Sequence, residues 1–263
     1  MSEVAKIAFT DYEAAVAAAL DAIGAADRLP RSGLVIIKPN LTLAKPPPVT
    51  TSAAAAEAVY DYCKAHCGAE VAIGEGTGDG VTADTYRANG YAKLAKRRGI
   101  RLIDFNLEPD VTLARPDALQ WKQIHLPEVV REAFLISLPV LKDHSFTTTT
   151  ISMKNLFGLP PGRFYKGNWN KSKLHEPSVH RSIFDVCLYR RPDLCVVDAA
   201  VALTGMHLTG RRKKLGLILA GLDCVAVDAV GSKLLGHDPH KIEYLTLANG
   251  VLGDMDDIHV LEG

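Results

Sequence analysis

Acid–base and cationic side chains crowd one stretch of this chain. LPVLKDHSFTTTTISMKNLFGLPPGRFYKGNWNKSKLH, residues 138–175, gathers Lys142, His144, Lys154, Asn155, Arg163, Lys166, Lys171, Lys173 and His175, with four consecutive hydroxyls at Thr147–Thr150. Histidine carries protons near neutral pH and ligates metals. Lysines clustered in a chain whose Lys+Arg and Asp+Glu both number 30 point to an anionic ligand, a carboxylate or a phosphate. Phe157, Leu159, Phe164, Tyr165 and Trp169 are interleaved with the charges, a mixture that suits a pocket wall better than a solvated loop. His144, Lys154 and His175 are therefore the leading catalytic candidates, and His144 with His175 could share a divalent metal. The stretch Lys142–Lys173 is also the least regular of the chain and is expected to be its most mobile ordered region when empty.

Two other polar segments close apolar runs. Leu34–Ile37 ends in Lys38-Pro39-Asn40, and Glu70–Ile73 ends in Gly74-Glu75-Gly76-Thr77-Gly78-Asp79-Gly80. The alternating glycines could turn backbone N–H groups toward an anion, although the spacing is neither that of a P-loop nor that of the dinucleotide fingerprint. Lys38, Asn40, Gly74, Glu75, Gly76, Lys142 and Asn155 are the expected ligand-binding set, with Glu75 able to pair Lys38. Asp198 closes the apolar run Cys195–Val197 and is a fourth catalytic candidate. Asp223 reads as the start of a helix.

Elements that position such groups are legible as alternating patterns. Leu34–Ile37, Glu70–Ile73, Arg101–Phe105, Phe134–Leu138, Cys195–Val197 and Leu215–Ala220 read as strands, apolar at nearly every position as strands covered on both faces are. Asp11–Ala26, Ala53–His66, Ala83–Arg98, Arg181–Tyr189 and Asp223–Leu235 read as helices, the second capped by Thr51 or Ser52. Alternation of this kind predicts an α/β fold, a mostly parallel sheet with helices on both faces. The chain is expected to form one unit, residues 1–263, with lobes 1–140 and 141–263 around a cleft as a finer division. Ligands of open α/β sheets sit beyond the carboxyl ends of strands, where segments 38–40, 74–80 and 142–175 all fall.

Composition excludes several classes. Formal net charge is zero, so nothing general favours nucleic acid or an anionic membrane. Hydrophobic residues make up 48%, enough for a core. The N-terminal stretch lacks the basic and apolar regions of a secretory signal, no apolar run could span a bilayer, and a cytoplasmic setting is expected. Cys63, Cys67, Cys187, Cys195 and Cys224 form no C-x-x-C pair, hence neither an iron–sulfur motif nor a zinc ribbon. Cys63 and Cys67 lie four apart and could share a metal, but read more simply as small residues packed under a helix.

Together, Lys38-Pro39-Asn40-Leu41, the Gly-Glu-Gly turn, Leu141-Lys142-Asp143-His144, Met153-Lys154-Asn155-Leu156-Phe157-Gly158, Lys173-Leu174-His175, Val197-Asp198-Ala199, Gly205 and Ala220-Gly221-Leu222-Asp223 with Val227-Asp228-Ala229 resemble domain of unknown function family 362. The resemblance runs from about Leu34 to Gly253. Many members carry a ferredoxin-like module with clustered cysteines, which this chain lacks. A looser similarity is to the nickel-pincer lactate racemase family, whose order of histidine, cofactor-anchoring lysine and nickel-binding histidine is matched by His144, Lys154 and His175. The Gly-Gly-Arg-Lys context of that lysine is missing here, so the likeness is an analogy for cleft location and proton chemistry.

Three functions are then in competition. An enzyme would act on a small anionic substrate by acid–base or metal-assisted chemistry, with His144 and His175 moving protons and Lys38, Lys142 and Lys154 holding the anion. A non-catalytic metal- or cofactor-binding protein would keep the histidines without proton-transfer geometry. An interaction module would spread its lysines over an exposed face. The coincidence of acid–base groups and cations in one segment favours the enzyme.

Overall fold

Residues 1–263 are all described by the computed structural model. In chain order the elements are β1 (Ser2–Ala8), α1 (Tyr12–Ala22), β2 (Leu34–Pro39), α2 (Ala53–His66), β3 (Glu70–Glu75), α3 (Thr82–Ala88), α4 (Tyr91–Arg98) and β4 (Arg101–Asp104). A hairpin, β5 (Asp110–Ala114) and β6 (Gln123–Pro127), precedes β7 (Phe134–Leu138), β8 (Val140–His144) and β9 (Thr148–Thr150). The chain continues with α5 (Ser152–Asn155), α6 (Gly162–Tyr165), α7 (Val179–Tyr189), β10 (Leu194–Thr204), β11 (Arg211–Gly221), α8 (Cys224–Leu235), α9 (Glu243–Ala248) and β12 (Ile258–Glu262).

One sheet of ten strands runs in the order β12-β1-β11-β10-β7-β2-β3-β4, with β8 paired to β10 and β9 paired to β8. The run β10-β7-β2-β3-β4 is parallel, and β11 joins it antiparallel to both β10 and β1. Both halves of the chain contribute strands to this sheet. Along β2, Val35 and Ile37 face the core beneath α1, α2 and α4, whereas Ile36 faces the core beneath α7, α8 and α9. Such two-sided burial explains why these strands are apolar at every position.

Ser52 caps α2, its hydroxyl accepting from Ala54 N, so of the two candidate caps Ser52 does the work. Asp223 caps α8, accepting from Val225 and Ala226 N, and also receives bonds from Ser2 Oγ and Asp254 N. The helix expected over Ala83–Arg98 is two helices. Gly90, in the left-handed region at φ 81°, breaks it and starts α4. Strands β10 and β11 are each eleven residues and pair along almost their whole length, the polar outer half of β11, Arg211–Lys214, lying against the apolar outer half of β10. The five cysteines are free thiols, and burial pushes Cys63 up to about 12, as befits a core residue of α2. No helix is long and apolar enough to cross a membrane.

Candidate functional site

Parallel pairing brings the ends of β2 and β3 side by side, and Lys38 and Glu75 stand at those ends. Lys38 is in register with Ser137, and Glu75 with Asp104. The Lys38 amine donates to Glu75 Oε2 at 2.8 Å, to Pro39 O at 2.8 Å and to Asn155 Oδ1 at 3.1 Å. Three bonds use all three of its protons. Glu75 also accepts from Leu41 N and Gly76 N, at 2.9 and 2.8 Å. The first turn of the glycine loop therefore gives its N–H to the protein's own carboxylate instead of opening toward an anion. Gly158 passes so close that a Cβ there would lie 2.0 Å from Glu75 Oε1 and 2.6 Å from Lys38 Nζ, which requires glycine.

Strand β8 supplies the next pair. Side chains alternate across a strand, so Lys142 and His144 share the cleft face while Asp143 points away, to His237 Nε2 at 2.8 Å and Gly205 N. The Lys142 amine donates to Asn40 Oδ1 and Val49 O, both at 2.7 Å, leaving one proton uncommitted. Helix α5 carries Lys154 and Asn155. Its N-terminal N–H groups, on Ser152 and Met153, are held by the carboxylate of Asp228 on α8 at 2.7 and 3.1 Å. Asn155 ties this turn to the sheet through Lys38 O, Ser137 Oγ and the amine of Lys38.

Lys154 is the least satisfied of these groups. Its amine is buried, finds no carboxylate, and meets only His175 Nε2 at 3.4 Å and the face of Phe157, 3.5 Å from the ring centroid. Burial first, then the neighbouring charges of Lys142, Lys171 and Lys38, hold its pKa well below the ordinary lysine value. Lys171 donates to Gly158 O at 2.7 Å and keeps two protons free. Burial lowers both Lys142 and Lys171 to about 7.

The two histidines have opposite hydrogen-bond polarity. His175 Nδ1 lies 3.2 Å from the carbonyl of Lys171, which can only accept, so the neutral ring carries its proton on Nδ1 and offers a lone pair at Nε2 to Lys154. His144 Nδ1 accepts from Phe146 N at 3.1 Å, which puts its proton on Nε2. Burial lowers His175 and His207 to about 4 and His144 further, so all three are neutral at physiological pH. His207 stacks on His144 with centroids 4.0 Å apart, its Nδ1 buried without a partner.

These groups line one cleft of about 360 Å³. Lys38, Asn40, Glu75, Gly76, Lys142, His144, Lys154, Asn155 and His175 all face it, together with the aromatic side chains of Phe146, Phe157 and Trp169. Two expected members do not. Gly74 is packed beneath the ring of Phe105 and against Ile36. Asp198 lies within β10, not at its end, and its carboxylate accepts from Tyr12 Oη at 2.8 Å. The segment 142–173 carries β8, β9, α5 and α6, joined by irregular stretches at 145–147, 159–161 and 166–171. Lys171, set among Asn, Gly and Ser, reads as solvated but is only 3% exposed and lines the cleft. His207 was equally hidden; its one signal is the turn at Gly205 that ends β10.

No group of three or more His, Cys, Asp or Glu side chains is arranged to hold a metal ion. The pair His144 and His175 thus lacks the third protein ligand that the expected metal site would need.

A family model described as Domain of unknown function (DUF362) matches residues 35–233. The chain belongs to this family. The matched span holds every cleft residue named above. A curated relative, the thylakoid-associated protein of Synechocystis sp., is 27% identical over 215 residues, which cover 79% of this chain and 64% of the relative. This chain accordingly spans less than two thirds of that relative's length.

Proposed function

We propose that this DUF362 protein is an enzyme that binds a small anionic molecule in the cleft and moves a proton on it. The observation that carries the reading is Lys154: a buried amine without a counter-ion, 3.4 Å from the lone pair of His175, beside two further buried amines that keep uncommitted protons. Burial and mutual repulsion hold these amines partly neutral, and a bound anion supplies the negative charge that lets them take up protons. His175, with a free lone pair, is the base. His144, with its proton on Nε2, is the donor. A binding protein needs the amines but gains nothing from two neutral histidines of opposite polarity. Buried free thiols are in keeping with a reducing cytoplasmic setting.

Counting free amine protons ranks the ligand contacts as Lys154, then Lys171, then Lys142, with Lys38 committed to the fold. Calorimetric titration with small carboxylates and inorganic phosphate tests this. Loss of the Lys154 amine should weaken the best binder by about 1.5–3 kcal/mol, roughly ten- to a hundredfold. Binding should also weaken as salt rises. A neutral or cationic best ligand, or equal losses from every lysine on the protein, would overturn the reading.

A further inference from the structure

The amine of Lys154 has a surrounding that simple anion binding does not require. A lysine that only binds an anion needs no proton acceptor beside its amine. Lys154 instead sits against an aromatic face and an imidazole lone pair, with three other amines nearby. Burial and like charge are the two influences that keep a lysine neutral and nucleophilic. Lys142 and Lys171 line the same cleft, each with protons to spare for a carboxylate or phosphate.

We propose that Lys154 is a nucleophile that forms an imine with a small anion bearing a carbonyl group, a 2-oxo acid being the simplest member of the class. The proposal rests on the anion-binding reading and adds the substrate's reacting group. Lys171 and Lys142 hold the acid group and the Lys154 nitrogen attacks the carbonyl carbon. His175 Nε2 takes the proton released from the amine and passes it to the carbonyl oxygen, which His144 Nε2–H steadies by a hydrogen bond without giving up its proton. The carbinolamine then loses its hydroxyl together with the second nitrogen proton, again carried by His175, as one water. A C=N bond replaces the C=O bond, one water is released, and no oxidant or reductant is consumed. The imine then acts as an electron sink for proton removal at the adjacent carbon.

The test is reductive trapping. The whole protein is incubated with glyoxylate or pyruvate and cyanoborohydride, and the adduct is located by peptide mass mapping. One adduct on the peptide bearing Lys154 is expected, forming much faster than on exposed lysines. Lys154→Arg should abolish it and His175→Ala should slow it about a hundredfold or more, the range of a lost general base. Should Lys154→Arg fail to fold, the wild-type map decides alone. Calorimetric titration with lactate and phosphate, which lack a reactive carbonyl, runs alongside. Pyruvate that binds without an adduct, or adducts spread evenly over the lysines, overturns the imine and leaves the anion site standing. Failure of pyruvate, glyoxylate, lactate and phosphate alike to bind overturns both.

Discussion

The tie between Lys38 and Glu75 is the joint on which the cleft is built, and Lys38→Met tests it. Methionine keeps the length of the aliphatic stem and removes the ammonium. The side chains of both partners are almost wholly buried, at 1% and 3% exposure, so neither charge can turn to solvent when the other is removed. Removing one member of a buried pair typically costs 3–5 kcal/mol, because the remaining charge is left uncompensated. Here Glu75 keeps its bonds from Leu41 N and Gly76 N, which places the expected loss toward the lower end, about 3 kcal/mol. For 263 residues at roughly 2.1 cal/mol/K each, 3–5 kcal/mol lowers Tm by about 5–9 °C. Thermal and urea unfolding of Lys38→Met, Glu75→Gln and the double variant give the cycle. The double loss should fall short of the sum by at least about 1 kcal/mol. Since every Lys38 proton is bonded within the protein, anion affinity of the folded variant should change less than about threefold, well under the loss at Lys154. A stability loss below 1 kcal/mol, the size typical of exposed pairs, would refute the structural role. A Kd change as large as that of Lys154→Ala would refute the division between structural and ligand-binding lysines.

Lys142 and Lys171 lie near 7 in the fold but return toward 10.5 when unfolded. Between about pH 7 and 10 the unfolded chain binds more protons, so the empty protein should gain stability as pH rises through that window. Unfolding temperatures that fall from pH 7 to pH 9 would contradict it, and anion affinity should decline over the same range as the amines lose charge. Gly158→Ala forces a methyl group into Glu75 and Lys38 and should destabilise by at least 1–3 kcal/mol; an unchanged Tm would show that the loop yields freely. Asp228, raised to about 7 by burial, holds the N-terminus of α5. Asp228→Ala should cost about 2–3 kcal/mol and weaken anion binding by displacing Lys154; a folded variant with unaltered Kd would remove Asp228 from the positioning of the site.

Reading the chain by periodicity located the parallel core because strands buried on both faces leave a continuous apolar signature, as Leu34–Ile37, Glu70–Ile73 and Phe134–Leu138 do. It also placed Lys38, Glu75 and Lys142 at or near strand ends, and the order of strands in the sheet makes those ends converge. Strand β1 was illegible, since its pairing with β11 and β12 joins the two termini of the chain. Asp198 was misplaced for a related reason. Asp198 interrupts an apolar run that resumes at Ala199–Leu203, and β10 runs on to Thr204 because β11 supplies hydrogen-bond partners past the interruption. Lys171 and His207 sit in polar, glycine-containing surroundings that look solvated in one dimension. By itself the sequence determined which segments are strands and helices and which of them carry cations and imidazoles, because those properties depend on neighbours within a few residues. Tertiary structure alone decided that Lys171 and His207 are buried, that Lys38 is saturated while Lys154 is not, and that His175 offers a lone pair. Each of those depends on which distant backbone groups reach the side chain, and that is fixed only when the sheet closes.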